Sequence, residues 1–253
     1  MLGTLGIVQL YLSHLPAEQV RRTEQLLKRQ LLGKTLLQWI VRRATEAQRL
    51  NGVIVLAGPG DAERRLAALV PADVPVYFSD AADPLAACVG ALEQYRSEAV
   101  VLIESDAPFL DPALIDRLVT TSAAHAECDY ISYRLTGGAP TEMSKIGVFA
   151  QWCKGDALRK AQRKARAAAD RSEPARFLYS HPELFQLRLL PTPVGLDRGD
   201  VRLRVTCEED WDNAIAIAEA LGPDALEWQC IAHLLDEQPA LRERMAVLNQ
   251  ADH

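Results

Sequence analysis

The 253-residue sequence predicts an α/β protein with a mostly parallel central sheet and helices on both faces. Three observations carry that prediction. Short apolar runs alternate with amphipathic stretches from Leu5 to Ala124, the rhythm of strand–helix–strand units. The run Ala99–Ile103 is apolar without alternation, as a strand covered on both faces must be. Glycine and proline then fall between the runs, as in Gly58-Pro59-Gly60, Pro108 and Asp111-Pro112, where they stop ladders and open helices.

Taken in order, Leu5–Tyr11 reads as a strand. Pro16–Leu32 reads as a helix with Val20, Leu26, Leu27 and Leu31 on one face and Arg21, Arg22, Lys28 and Arg29 on the other. Gly33-Lys34 interrupts it, and Thr35–Leu50 forms a second amphipathic helix through Leu36, Leu37, Ile40 and Val41. Gly52–Ala57 is a buried strand, Ala62–Val70 a helix, Val74–Phe78 a strand and Asp83–Tyr95 a helix leading into Ala99–Ile103. Asp111 is the expected N-cap, and Pro112 the first residue, of a helix to Ala124.

The rhythm then changes. Tyr130–Leu135 and Ile146–Trp152 are strand-like, around a loop containing Gly137-Gly138-Ala139-Pro140. Asp156–Ala169 is helical, and its basic run of Arg159, Lys160, Arg163, Lys164 and Arg166 reads as a solvated face. Phe185–Leu190 and Val201–Val205 are further strands, and Trp211–Leu221, Ala225–Leu235 and Pro239–Leu248 are helices. The expected division is an α/β domain over residues 1–222 and a C-terminal helical extension over 223–253.

Composition excludes several classes. Thirty-four acidic against 28 basic residues give a net charge of −6, which argues against a nucleic-acid surface. The five cysteines have no CxxC pair or metal spacing and read as reduced thiols. Met1–Tyr11 lacks a basic n-region, and no apolar run approaches a membrane span, so a cytoplasmic protein with no membrane partner is expected. The histidines are too scattered for zinc, and Ser13 and Ser105 lack nearby partners for a hydrolase triad.

Asp106 stands out because it follows the central buried strand, and open α/β sheets bind ligands at the carboxyl ends of their strands. A carboxylate there is placed to hold a hard cation such as Mg2+ that bridges phosphate oxygens.

The order of motifs resembles the cytidylyltransferase family that includes spore coat polysaccharide biosynthesis protein F and the CMP-sialic acid and CMP-KDO synthetases. Leu15-Pro16 and Leu32-Gly33-Lys34-Thr35-Leu36-Leu37 are similar to its Leu-Pro and Gly-Lys-Pro-Leu-Leu landmarks. Glu104-Ser105-Asp106-Ala107-Pro108-Phe109-Leu110-Asp111-Pro112 resembles its Asp-x-Pro-x-x-Asp-Pro segment, and Tyr179-Ser180-His181-Pro182-Glu183-Leu184-Phe185 its Tyr-x-His-Pro-Glu-x-Phe. Val201–Val205 followed by Glu208-Glu209-Asp210-Trp211 is similar to its closing strand and helix. The resemblance implies a three-layer αβα nucleotide-diphospho-sugar transferase fold of glycosyltransferase-A-like type, and a homodimer. It implies a reaction in which a sugar or sugar acid attacks the α-phosphate of CTP, giving a CMP-sugar and pyrophosphate with Mg2+ as cofactor. Asp106 would be the catalytic, metal-binding carboxylate, with Ser13, Arg21, Arg22, Lys34, Ser105 and Pro108 around the nucleotide.

Three departures bear on that implication. The loop Leu12-Ser13-His14-Leu15-Pro16-Ala17-Glu18 lacks the glycines that would bring backbone N–H groups against phosphate. Ala87 replaces an arginine in the Asp-x-Leu-x-Arg segment, and Thr206 stands where a second metal-binding aspartate is expected. Without compensation from Arg21, Arg22, Lys28 or Lys34, CTP turnover is expected to fall below detection. The alternative is a non-catalytic relative acting as a binding or dimerisation module.

Overall fold

The computed structural model describes residues 3–136 and 146–251, so the expected loop at Gly137-Gly138-Ala139-Pro140 lies outside the described residues. The first half is β1 (Thr4–Leu10), α1 (Ala17–Lys28), β2 (Gln30–Leu31), β3 (Lys34–Thr35), α2 (Leu36–Thr45), β4 (Gly52–Ala57), α3 (Asp61–Ala67), β5 (Val76–Phe78), α4 (Pro84–Gln94), β6 (Ala99–Glu104) and α5 (Pro112–Ala124). The second half is β7 (Tyr130–Arg134), β8 (Gln151–Lys154), α6 (Gly155–Lys164), α7 (Ala168–Ser172), α8 (Arg176–Ser180), β9 (Leu187–Pro191), α9 (Glu208–Leu221), α10 (Trp228–Glu237) and α11 (Pro239–Ala251).

Seven strands form one sheet in the order β5-β4-β1-β6-β8-β7-β9. The pairs β5–β4, β4–β1, β1–β6 and β7–β9 are parallel, while β8 runs antiparallel to both β6 and β7. Successive side chains of the central strands feed two cores, as the pleat requires. Val101 and Ile103 join Val8, Val55, Leu37, Ile40 and Ile115 on one face. Val100 and Leu102 join Ile7, Ile54, Leu85, Leu92 and Leu158 on the other. Helix, sheet and helix layers follow directly. Parallel register sets Gln9 of β1 beside Glu104 of β6, so both reach the same carboxyl edge.

Several sequence expectations are corrected. The helix expected over Pro16–Leu32 ends at Lys28, because Leu32 (φ 50°) and Gly33 (φ 78°) make the tight turn of the β2–β3 hairpin. Thr35 then caps α2 through a capping box with Gln38. The strand expected over Ile146–Trp152 pairs only from Gln151. Gly147 adopts φ +76°, and the Val148 carbonyl accepts from the Asp111 N–H, so no ladder starts before residue 151. Val201–Val205 is extended but unladdered: Leu203 N–H goes to Ile146 O and Val205 N–H to Asp106 O, two different segments. The helix expected over Asp156–Ala169 breaks after Lys164 into α6 and α7. Ile146, Val148, Phe149 and Trp152 are each buried within the protomer, so they offer no surface to a second copy.

The last two helices pack into the same core through Ile231, Leu235, Leu241 and Met245. Asp111 Oδ2 accepts from the Trp228 N–H at 2.8 Å, and Asn249 donates to the carbonyls of Gly199 and Val201. Among the described residues, no helix is long and apolar enough to cross a membrane.

Candidate active site

The carboxyl edge of β1 and β6 opens into a cleft of about 420 Å³. Gln9 and Glu104 form its floor, joined by a 2.9 Å hydrogen bond from Gln9 Nε2. Gln19, Arg22 and Thr23 of α1 line the cleft, as do Arg204, Val205 and Thr206. The Tyr11–Leu15 loop and Ser172-Glu173 close the rim.

Asp106 lies just past β6, as the sequence predicts, and lines this cleft. Its Oδ2 accepts from Arg204 Nη2 at 2.8 Å. Burial pushes the Asp106 carboxyl above its ordinary range, and the Arg204 charge acts against that push. Glu104 is moved further, to about 7, by burial first and then by the negative charges of Asp106 and Glu173. Arg204 is held in place by close packing. A Cβ on Gly147 would lie 2.5 Å from the Arg204 backbone nitrogen, so only glycine permits this approach.

Thr206, at the expected position of a second metal ligand, is committed elsewhere. Its N–H and hydroxyl both go to Asp210 Oδ2, at 3.0 and 2.8 Å. Asp210 is also gripped by the Arg202 fork at 2.6 and 3.1 Å, and the pair is almost fully buried. Burial opposes the Asp210 charge, but these hydrogen bonds outweigh it and hold the carboxyl below the usual range.

The other residues expected at the site are divided. Ser105 and Arg22 line the cleft with Asp106. Ser13 sits on the rim loop and donates to Glu63 of α3. Arg21 is on the exposed side of α1. Lys34 stands over the Trp39 ring, 5.6 Å from its centroid, and Pro108 is buried with its carbonyl accepting from Trp39 Nε1. Neither Lys34 nor Pro108 lines the cleft. Sequence reasoning passed over Arg204, Gln9 and Glu173. A signal for Arg204 was present: Val201, Leu203 and Val205 alternate with Arg202 and Arg204, so the two arginines share one face of an extended segment.

The rim loop is not a free phosphate cradle. Buried Glu63 accepts from the Leu12 N–H at 2.9 Å and from the Ser13 hydroxyl, and occupies space beside Gly58 and Gly60. A carboxylate thus takes the N–H that a phosphate would use. Burial pulls the His14 imidazole below its ordinary value, which weakens it as a second cation there.

Mg2+ takes six oxygen donors in near-octahedral geometry and is held by one or two carboxylates plus phosphate. Here Asp106 is capped by a guanidinium and Thr206 is spent on Asp210. Among the described residues there is no group of three or more His, Cys, Asp or Glu that could hold a metal. The residues present do not fit the metal that the resemblance implies.

The carboxyl edge of a mostly parallel sheet is where open α/β proteins take their ligands, and here it carries a cleft lined by Arg22 and Arg204 together with Glu104, Asp106 and Glu173. Residues 24–206 match the MobA-like NTP transferase domain, and the chain belongs to that family. An uncharacterised protein of Methanocaldococcus jannaschii is 23% identical over 229 residues, covering 88% of this chain and 90% of that one. The fold is that of a cytidylyltransferase from Leptospira borgpetersenii (TM-score 0.82, 14% identity, 95% of this chain and 97% of that one). CMP:2-keto-3-deoxy-manno-octonic acid synthetase, solved with CTP, is similar at TM-score 0.57 and 11% identity over 86% of this chain and 99% of that one. The manganese complex of Rv0371c from Mycobacterium tuberculosis follows at 0.55 and 17% over 85% and 98%. The expected three-layer nucleotide-diphospho-sugar transferase fold is therefore the fold of this chain, and its cytidylyltransferase resemblance stands as that of a divergent member.

Proposed function

We propose that this chain is a cytidylyltransferase-type enzyme that joins CMP from CTP to a sugar or sugar acid and releases pyrophosphate. The observation that carries this reading is the placement of Asp106, Arg204 and Arg22 around one cleft at the carboxyl edge of β1 and β6. Arg22 and Arg204, both on the lining, neutralise the triphosphate, as loosely bonded phosphoryl-type transition states demand. The acceptor hydroxyl oxygen bonds to the α-phosphorus, the bond from that phosphorus to the bridging oxygen breaks, and pyrophosphate leaves with the electron pair. Glu104, set near 7, is suited to take the hydroxyl proton at neutral pH. The α1 stretch that separates Leu15-Pro16 from Gly33-Lys34 supplies the wall and Arg22, which offsets part of the loss of the glycine loop. A cytoplasmic homodimer belongs to the same reading, which light scattering tests.

A non-catalytic binding module is the second reading, and the observation favouring it is Glu63 on the Leu12 N–H. Measuring pyrophosphate release from CTP with a panel of sugars and sugar acids separates the two. The enzyme reading expects release with at least one acceptor, falling at least 100-fold in Arg204→Gln. CTP binding with no release for any acceptor would leave the binding module.

A further inference from the structure

We propose that Arg204 takes the place of a divalent cation in this cleft, so that the chain holds the phosphates of its nucleotide without a metal. This rests on the nucleotide reading above and specifies how that site supplies positive charge.

Asp106 Oδ2 is 2.8 Å from Arg204 Nη2, so a second cation on that carboxylate would sit close to a guanidinium that cannot lose its charge. The position where a partner ligand is needed is closed as well. Thr206 gives both its hydrogens to Asp210, and Asp210 is engaged by Arg202 in a buried pair. Of the remaining carboxylates on the lining, Glu104 accepts from Gln9 and Glu173 accepts from the Tyr179 hydroxyl.

Arg204 itself is built to meet phosphate. A guanidinium has five N–H donors in a planar fork, which matches a phosphate edge in a bidentate way. One hydrogen is spent on Asp106, and Nε is buried with no partner among the described residues. Asp106 then acts as a positioning residue: it fixes the guanidinium plane while other donors face the ligand. Gly147 keeps the backbone of Arg204 pressed against residues 146–147, so the group is held from both ends. Arg22 adds charge from the α1 wall.

The test is calorimetric titration of the full chain with CTP and, separately, with inorganic pyrophosphate, in EDTA and in Mg2+. The wild type is compared with Arg204→Gln and Asp106→Asn, each checked for fold by circular dichroism. The expected result is a CTP affinity in EDTA within about 3-fold of that in Mg2+. Arg204→Gln should weaken it roughly 10- to 100-fold, the range for a charge-assisted bond to phosphate. Asp106→Asn, which weakens the hold on the Arg204 guanidinium, should lower CTP affinity by the same factor in EDTA and in Mg2+, whereas a metal-held nucleotide would lose affinity only in Mg2+. CTP binding that requires Mg2+ and disappears in Asp106→Asn overturns the inference and leaves the nucleotide reading standing. Pyrophosphate binding in EDTA through Arg204, with CTP ignored, upholds the inference and removes CTP as the substrate. Failure of both ligands in both buffers overturns the inference and the nucleotide reading together.

Discussion

At the scale of single residues, the cleft is governed by carboxylates that burial makes uncomfortable. Glu104 has its pKa raised from 4.5 to about 7, chiefly by burial and then by Asp106 and Glu173. A carboxyl whose folded pKa lies above its unfolded value favours folding while protonated. Its contribution is therefore complete below about 4.5 and is lost as pH rises through about 7. Glu104→Gln, which keeps the shape without the charge, should stabilise the protein at pH 8 by of order 1–3 kcal/mol and change little at pH 4. Urea midpoints at the two pH values check this; equal shifts at both would show that Glu104 is not the strained group. The same substitution should flatten the rise of activity with pH around neutrality, if Glu104 takes the acceptor proton.

At the scale of elements, the segments read most accurately from sequence were those with covalent punctuation. Gly52–Ala57 and Pro112–Ala124 have the predicted bounds because the turn Gly58-Pro59-Gly60 follows one and an Asp-Pro cap opens the other. Val201–Val205 was read as a strand because its alternation is real, and its apolar residues are indeed buried. What sequence could not show was the partner: its N–H groups divide between Ile146 and Asp106, so it stays extended without a ladder. Arg204 was missed for a related reason, since 98 positions separate it from Asp106 and only the fold brings them to 2.8 Å. Gly147 is the hinge of this arrangement. Gly147→Ala would place a Cβ at 2.5 Å from Arg204 N in a left-handed conformation. A loss of about 2–4 kcal/mol is expected, together with weakened nucleotide binding. Chemical denaturation with a parallel titration measures both, and a neutral substitution would refute the role given to this glycine.

At the scale of the whole molecule, a mostly parallel sheet with helices on both faces was legible because strand and helix patterns alternate along the chain, while the strand order came only with the structure. The charge logic of the site was not, because it depends on which long side chains meet. Arg22 reaches the cleft from an inserted helix tied to α3 by Glu24, which binds Arg65 at 2.7 and 2.8 Å and Lys28 at 2.6 Å. Those partners, first Arg65, lower the Glu24 pKa to about 2. The clamp is therefore complete above about 4.5 and is lost as pH falls through about 2. The phosphates of a nucleotide are expected to meet Arg22 and Arg204 beside Asp106. A crystal structure of the protein grown with CTP in EDTA tests this placement most directly. Phosphate oxygens within hydrogen-bond distance of the Arg204 guanidinium are the expected result. CTP bound instead in the separate groove lined by Arg49, Arg117 and Arg188, with the Asp106 cleft empty, would contradict it.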